Sequence, residues 1–322
     1  MSDATTDPAA YPIEIEPLDI EPYRRGNTGV EFATTFDSGV PGLHVMLNAL
    51  THGNELCGAV ALDYLFRAKV RPRKGKLTLS FANVEAYRRF DRAKPTASRF
   101  VDEDFNRVWS EDVLDGPRDT VELRRARAMR PLVDTVDLLL DIHSMQHKTP
   151  ALMLAGPTIK GRDLALAVGV PAIVVRDEGH KAGRRLRDYA GFGDPASAKN
   201  ALLVECGQHW EKASERIAIE TALRFLFELG TVDGAFALPR LPEASPPRQS
   251  IVEVTDAVTV HNEDFAFVRD FIGMEVIDKA GTEIALDGGR AVVTPYDRCV
   301  LIMPSRRLKP GQTAVRLGRY VA

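Results

Sequence analysis

Leu43-His44-Val45-Met46-Leu47-Asn48-Ala49-Leu50, followed at once by Thr51-His52-Gly53-Asn54-Glu55, decides how the rest of this chain is read. A mostly apolar run of that length, closed by a Gly-Asn turn signal, reads as a buried strand. His52 and Glu55 then lie where the chain leaves the strand's carboxyl end. The pattern recurs twice. Val136 to Leu140 leads into Asp141-Ile142-His143, and Ala201-Leu202-Leu203-Val204 leads into Glu205-Cys206-Gly207. Open α/β sheets carry their sites beyond the carboxyl ends of their strands, so three distant runs are expected to deliver polar side chains to one sheet edge.

Working outward, strand-like runs at Leu43–Leu50, Lys76–Asn83, Val136–Asp141, Ala151–Leu154, Ala172–Val175 and Ala201–Val204 alternate with helix-like runs at Leu56–Lys69, Thr120–Val133, Gly161–Val168 and Glu211–Leu229. Such alternation implies an α/β fold, a mixed sheet flanked by helices on both faces. The first 40 residues are less regular, with a β-like alternation at Ile13-Glu14-Ile15-Glu16 and a turn at Gly26-Asn27. Prolines 239, 242, 246 and 247 mark a linker. Beyond it come short β-patterned runs at Ile251–Val260, Phe265–Val268, Met274–Ile277, Ala291–Val293 and Cys299–Met303. The expected division is a catalytic domain over 1–238 and a smaller C-terminal β domain over 248–322.

Composition narrows the function. At 322 residues with a formal charge of −3, the chain has no basic footprint for nucleic acid. Its three cysteines, Cys57, Cys206 and Cys299, are scattered, which argues against a disulfide framework and a cysteine-rich zinc site. Met1 to Pro8 lacks the pattern of a signal peptide, and no apolar run is long enough to span a membrane. A cytoplasmic location is the expectation, and self-association is left open.

Two imidazoles and one carboxylate make the three-ligand set of a catalytic zinc, with a fourth position open for water. His52 and Glu55, three residues apart at the mouth of a helix, can share one face, with Gly53 keeping the turn tight and the backbone close to the ion. His143 would be the third ligand, and Asp141 can hold its other ring nitrogen. Glu205 can act as a general base beside the metal. Arg99-Phe100-Val101-Asp102-Glu103-Asp104-Phe105-Asn106-Arg107 can supply a carboxylate clamp and an oxyanion donor. Taken singly, each piece also has a bland reading, as a solvated helix start, a strand-end polar pair or a surface salt-bridge cluster. Together they point to a metal-dependent hydrolase.

The four stretches, Thr51 to Glu55, Arg99 to Arg107, Asp141 to His143 and Val204 to Gly207, resemble the succinylglutamate desuccinylase and aspartoacylase family, relatives of zinc carboxypeptidases. Their order and separation cover about two thirds of the chain, and the β-rich tail also fits. The resemblance implies a zinc-carboxypeptidase-like fold and one zinc per chain on His52, Glu55 and His143. It implies Glu205 as general base, Arg99 polarising the scissile carbonyl, and Asn106 and Arg107 gripping a substrate carboxylate. It further implies that the enzyme removes an acyl group from the nitrogen of a small N-acyl amino acid. The family uses an arginine in the glycine-punctuated loop over 179–194 for the amino-acid moiety, which Arg184 or Arg185 matches. Phe105 stands where leucine or methionine is usual, and Cys206 with Gln208-His209 replaces the Gly-Pro-Gln pattern of some members. Strand alternation turns Cys206 away from Glu205, as a packed core thiol. Tyr296, in the tail, is a further candidate to reach over the site, and His147, His180 and His209 are spare candidates near the same edge. The competing readings are a zinc carboxypeptidase acting on short peptides, a non-catalytic zinc-binding protein and a sugar or polyamine deacylase on the same frame.

Overall fold

The computed structural model describes residues 11–179, 182–306 and 308–321. The polar start and His180 lie outside them. In chain order the first half runs β1 (Ala33–Asp37), β2 (His44–Ala49), α1 (Leu56–Arg67), β3 (Lys76–Phe81), α2 (Val84–Tyr87), α3 (Glu111–Leu114), α4 (Val121–Val133), β4 (Leu138–Met145) and β5 (Leu152–Leu154). It continues with α5 (Ile159–Val168), β6 (Ile173–Arg176), β7 (Asn200–Gln208), α6 (Lys212–Glu228) and α7 (Gly234–Ala237). The tail adds β8 (Ser250–Thr259), β9 (Ala266–Phe267), β10 (Glu275–Ile277), β11 (Glu283–Asp287), β12 (Arg290–Val293), β13 (Cys299–Ile302) and β14 (Thr313–Val321).

An 11-stranded mixed sheet forms the body, in the order β1-β3-β2-β4-β7-β5-β6-β8-β14-β13-β10. Its central strands β3, β2, β4 and β7 are parallel neighbours. Strands β2, β4 and β7 are buried along their whole length, which is why they read as near-continuous apolar runs instead of alternating ones. Alternation still decides which face each side chain meets. Leu140, Ile142, Leu202, Val204 and Cys206 join the core under α1, α5 and α6. Leu139 and Ala201 pack with Leu123, Ala126 and Met129 of α4 on the opposite face. Burying each such aliphatic side chain is worth about 1.5–3 kcal/mol. By the same period of two, Asp141, His143 and Glu205 share the face opposite Cys206.

One expectation is corrected, and three strands come in addition to those expected. The alternation at Ile13–Glu16 forms no strand: Ile15 is buried in the core while Glu14 N–H donates to the Trp210 carbonyl (3.0 Å), so the segment is pinned to a loop and not to a ladder. Strand β1, antiparallel to β3 at the sheet edge, escaped the sequence reading because Ala33-Thr34-Thr35-Phe36-Asp37 lacks an apolar run. Strands β11 and β14 were missed for a similar reason, charged residues interrupting their apolar pattern.

The sheet does not stop at the proline-rich linker. Strand β8 pairs in parallel with β6, Ile173 opposite Ser250 through Arg176 opposite Glu253, and β14, β13 and β10 follow in antiparallel fashion. A three-stranded antiparallel sheet, β12-β11-β9, stands beside them. The tail is thereby brought against the same sheet edge as the catalytic candidates.

Candidate active site

His52 and Glu55 occupy the turn that leads into a helix: α1 begins at Leu56, with Glu55 at its cap, and Glu55 N–H donates to the His52 carbonyl (3.2 Å). The turn brings His52 Nδ1 to 2.7 Å from Glu55 Oε1. Gly53 serves packing against the chain rather than approach to an ion. A Cβ there would lie 2.4 Å from the Ala86 carbonyl carbon and 2.5 Å from the Ser98 carbonyl oxygen. That closeness also lets Gly53 N–H reach the Arg99 carbonyl (3.1 Å), tying the turn to the loop that carries Arg99.

His143 and Glu205 lie inside strands, not beyond their ends. They are directly opposite one another in the β4–β7 ladder. His143 Nδ1 is 2.9 Å from Glu55 Oε2. The candidate ligand atoms of His52, Glu55 and His143 therefore lie within 4.8 Å of one another, and all three residues are buried. The outer nitrogens are fixed as well. His143 Nε2 meets Asp141 Oδ2 at 2.8 Å, while the other Asp141 oxygen accepts from Asn48 and Thr51. His52 Nε2 meets Asp104 Oδ1 at 3.0 Å. A carboxylate behind each imidazole presents both Nδ1 atoms to the centre, the arrangement that orients metal-ligating histidines. The donor set thus fits a divalent cation.

The electrostatics agree. Burial pushes the Glu55 carboxyl up, but His52 and His143 overcome it and hold the carboxyl well below its usual range. Burial disfavours a charged His143, yet Asp141 and Glu55 raise its proton affinity well above normal. Burial dominates at Glu205, pushed up to about 8, with Glu55 adding to the rise and His143 and Arg99 opposing it. Its Oε2 is buried without a hydrogen-bond partner.

The loop that carries Arg99 to Arg107 is anchored from α4. The buried carboxylate of Glu122 accepts from the backbone N–H groups of Val101, Asp102 and Glu103 and from Asn83. Arg99 reaches Asp104 Oδ2 (3.1 Å) and Glu55 Oε1 (3.5 Å). Asn106 is held by Leu186 N–H donating to its Oδ1 (2.9 Å). The Arg107 guanidinium donates to the Asn106 carbonyl (2.7 Å) and has no carboxylate partner among the described residues. Its burial lowers its pKa to about 10.

These side chains line one cavity of about 420 Å³, into which Arg99, Asn106, Arg107, Glu205 and the ligand triad all open. Sequence reasoning missed Asp104 as the partner of His52, Glu122 as the anchor and Arg316 of β14 in the cavity wall. The available signal for Arg316 is a lone charge inside the run Ala314-Val315-Arg316-Leu317. His147 and His209 also line the cavity, and Ser144 Oγ lies 2.8 Å from His209 Nδ1.

The structure separates the two arginine candidates of the 179–194 loop. Arg184 is exposed outside the cavity wall, where its carbonyl accepts from Trp109 N–H. Arg185 reaches the wall, but its guanidinium is engaged by both Asp177 oxygens (2.8 and 2.9 Å) and by Asp188. Tyr296 does not reach over the site. It bonds Thr255 Oγ1 and stacks under Arg319 elsewhere in the tail.

The fold places a buried His-Glu-His cluster that could hold a metal ion in one cavity, and comparison with known proteins gives the class. The sequence profile described as the succinylglutamate desuccinylase/aspartoacylase catalytic domain matches residues 41–228, more than half of the chain. The chain belongs to the succinylglutamate desuccinylase/aspartoacylase family. Comparison with curated proteins by sequence finds no match. Among solved structures, succinylglutamate desuccinylase from Vibrio parahaemolyticus superposes with a TM-score of 0.67 at 17% identity, covering 92% of this chain and 90% of that one. A succinylglutamate desuccinylase/aspartoacylase from Rhodobacter sphaeroides gives 0.64 at 16% identity, covering 91% and 90%. The product-bound ectoine utilization protein EutE from Ruegeria pomeroyi gives 0.62 at 18% identity, covering 90% and 89%. At these identities the likeness is one of fold. No described helix is long and apolar enough to cross a membrane.

Proposed function

We propose that this protein is a zinc-dependent deacylase that hydrolyses the amide bond of N-acyl amino acids. The observation that carries the reading is the placement of Glu205. It stands beside His143 in the ladder, lines the cavity and keeps one buried oxygen without a protein partner. A carboxylate so placed, with its proton affinity raised by burial, suits transfer of a proton near neutral pH.

His52, Glu55 and His143 would hold the zinc, with Asp104 and Asp141 fixing the imidazoles. When bound there, zinc supplies Lewis acidity toward the acyl carbonyl and lowers the pKa of a water. Glu205 takes the proton of the attacking water and hands it to the departing amine. Arg99, pinned by Asp104 and Glu55, donates to the oxygen on which negative charge develops. Asn106 and Arg107 hold the α-carboxylate of the amino acid, the guanidinium of Arg107, with no carboxylate partner among the described residues, being the natural receptor. A cavity of about 420 Å³, walled by Met303, Pro304 and Thr313 from the tail, matches a single small molecule better than a polypeptide.

The test is an amine-release screen of zinc-loaded protein over a panel of N-acyl amino acids, with short unblocked peptides alongside. Release from the acylated amino acids and not from the peptides is expected. Hydrolysis of the peptides alone would make the protein a carboxypeptidase.

A further inference from the structure

Lys160, in the first turn of α5, is a cation in an unfavourable place. The amino end of a helix carries partial positive charge, which favours acids there and not ammonium groups. Thr158 caps α5, Ile159 and Lys160 follow, and no acid stands in that turn to offset the charge.

What holds Lys160 is a shell of peptide oxygens. Its Nζ lies 3.0 Å from the Gly191 carbonyl oxygen, 2.6 Å from that of Asp194 and 2.9 Å from that of Ser197, and it also donates to the Lys199 carbonyl. An ammonium has three N–H bonds, so four oxygens at this range answer to its charge as well as to its hydrogens. Carbonyl oxygens that converge on one point are how a protein replaces the hydration shell of a potassium ion, and an ammonium group is of similar size.

The loop that supplies the oxygens is tight. A Cβ on Gly191 would lie 2.6 Å from Ser197 Oγ and 3.2 Å from Lys199 Cδ, so the chain closes on itself there. Asn200 Nδ2 donates back to the Lys160 carbonyl (2.8 Å), which fastens the loop's exit. Apolar packing orders little of it: of residues 191–199 only Phe192 is buried. Burial lowers the proton affinity of the ammonium, while Asp194 nearby opposes the loss. Upstream lies Arg185 in the cavity wall, and downstream β7 carries Glu205.

We propose that residues 191–199 form a binding site for a compact monovalent cation, and that the Lys160 ammonium is its permanent, tethered occupant. The loop beside the active-site cavity is thereby ordered without a free alkali ion. With the side chain removed, the same four carbonyls are left to take up ammonium, a primary alkylammonium or potassium.

Chemical rescue of full-length Lys160→Ala tests it, read by hydrogen–deuterium exchange over residues 186–208. In tetramethylammonium chloride, whose methyl groups keep its charge away from the carbonyls, exchange over 191–199 should be at least about 10-fold faster than in wild type, the scale of lost hydrogen bonds to a charged group. At equal ionic strength n-propylammonium, which restores the deleted atoms, should return it to within about two-fold of wild type. Potassium should restore part of the protection, and crystals of the variant grown with thallium(I) should show an anomalous peak among the four carbonyls. Wild type should respond to none of these cations. Lys160→Arg, with a planar fork too large for the shell, should exchange fast and resist rescue. Should Lys160→Ala not fold, its recovery in n-propylammonium but not in tetramethylammonium supports the same site. Unchanged exchange in Lys160→Ala, rescue by tetramethylammonium as good as by n-propylammonium, no rescue by any cation, or a Lys160→Arg variant protected like wild type overturns the assignment.

Discussion

The cradle of His52, Glu55 and His143 and the arginine end of the same cavity are built on opposite plans. In the cradle the candidate ligands and the acids behind them are paired: Asp141 is saturated by His143, Asn48 and Thr51, and Asp104 backs His52. At the arginine end, Arg107 has the Asn106 carbonyl as its hydrogen-bond partner, and Arg316 reaches Asp177 only at 3.9 Å. Saturation fixes geometry before a ligand arrives, which a metal site needs. Unmatched charge defers its pairing to the ligand, which a substrate pocket needs. Glu205, beside the cradle, follows the second plan, with a buried oxygen lacking a partner.

That contrast can be broken most severely at Glu205. Glu205→Gln should keep its metal, by elemental analysis, while kcat falls about 10³-fold, within the range for a lost general base. A variant that turns over normally ends the base assignment. The pH profile carries the same claim. Glu205 must be ionised to accept a proton, and burial pushes it up to about 8, so kcat/KM should rise with pH along an acid limb. A bound cation adds to the pull of Arg99 and draws that limb below about 8. Arg99→Gln, by removing one opposing charge, should move the limb to higher pH; a shift to lower pH contradicts the electrostatic account.

The saturated end sharpens the comparison through Asp141. Asp141→Asn should weaken metal binding by about 10–100-fold in chelator competition, because His143 loses the carboxylate behind its outer nitrogen. Unchanged affinity would mean that the ring is oriented by packing alone. At the unsaturated end, Arg107→Ala should raise KM about 10-fold for substrates with a free α-carboxylate, and less for their carboxamides. An equal rise for both removes the clamp.

The smallest effect is expected behind the sheet. Cys206 shares the buried face with Leu202 and Val204, opposite Glu205. Cys206→Ala should leave kcat within about two-fold and cost about 1–2 kcal/mol in urea unfolding. A collapse of kcat at unchanged stability would reopen thiol chemistry.

The two ends also differ in how far the sequence discloses them. The cradle is carried by short motifs next to long apolar runs, and strand alternation alone places Asp141 and His143 on one face. The sheet register that sets His143 opposite Glu205 is a pairing between segments some sixty residues apart, which no local pattern encodes. Arg316 was hidden for a related reason. Its strand is interrupted by charge, and its path to the cavity depends on β8 adding to β6 across a proline-rich linker. Arg184 and Arg185 were indistinguishable as neighbours in a basic loop. Their fates were decided by the buried Asp177, a carboxylate whose role shows only in three dimensions.

The claim beneath all of this is that one divalent ion sits between His52 Nδ1, Glu55 and His143 Nδ1. A crystal structure with anomalous diffraction recorded on either side of the zinc edge addresses it directly. The expected result is a single zinc peak bonded to those three side chains, with Asp104 and Asp141 on the outer nitrogens. A zinc peak elsewhere, or bonding through the Nε2 atoms, would contradict the account.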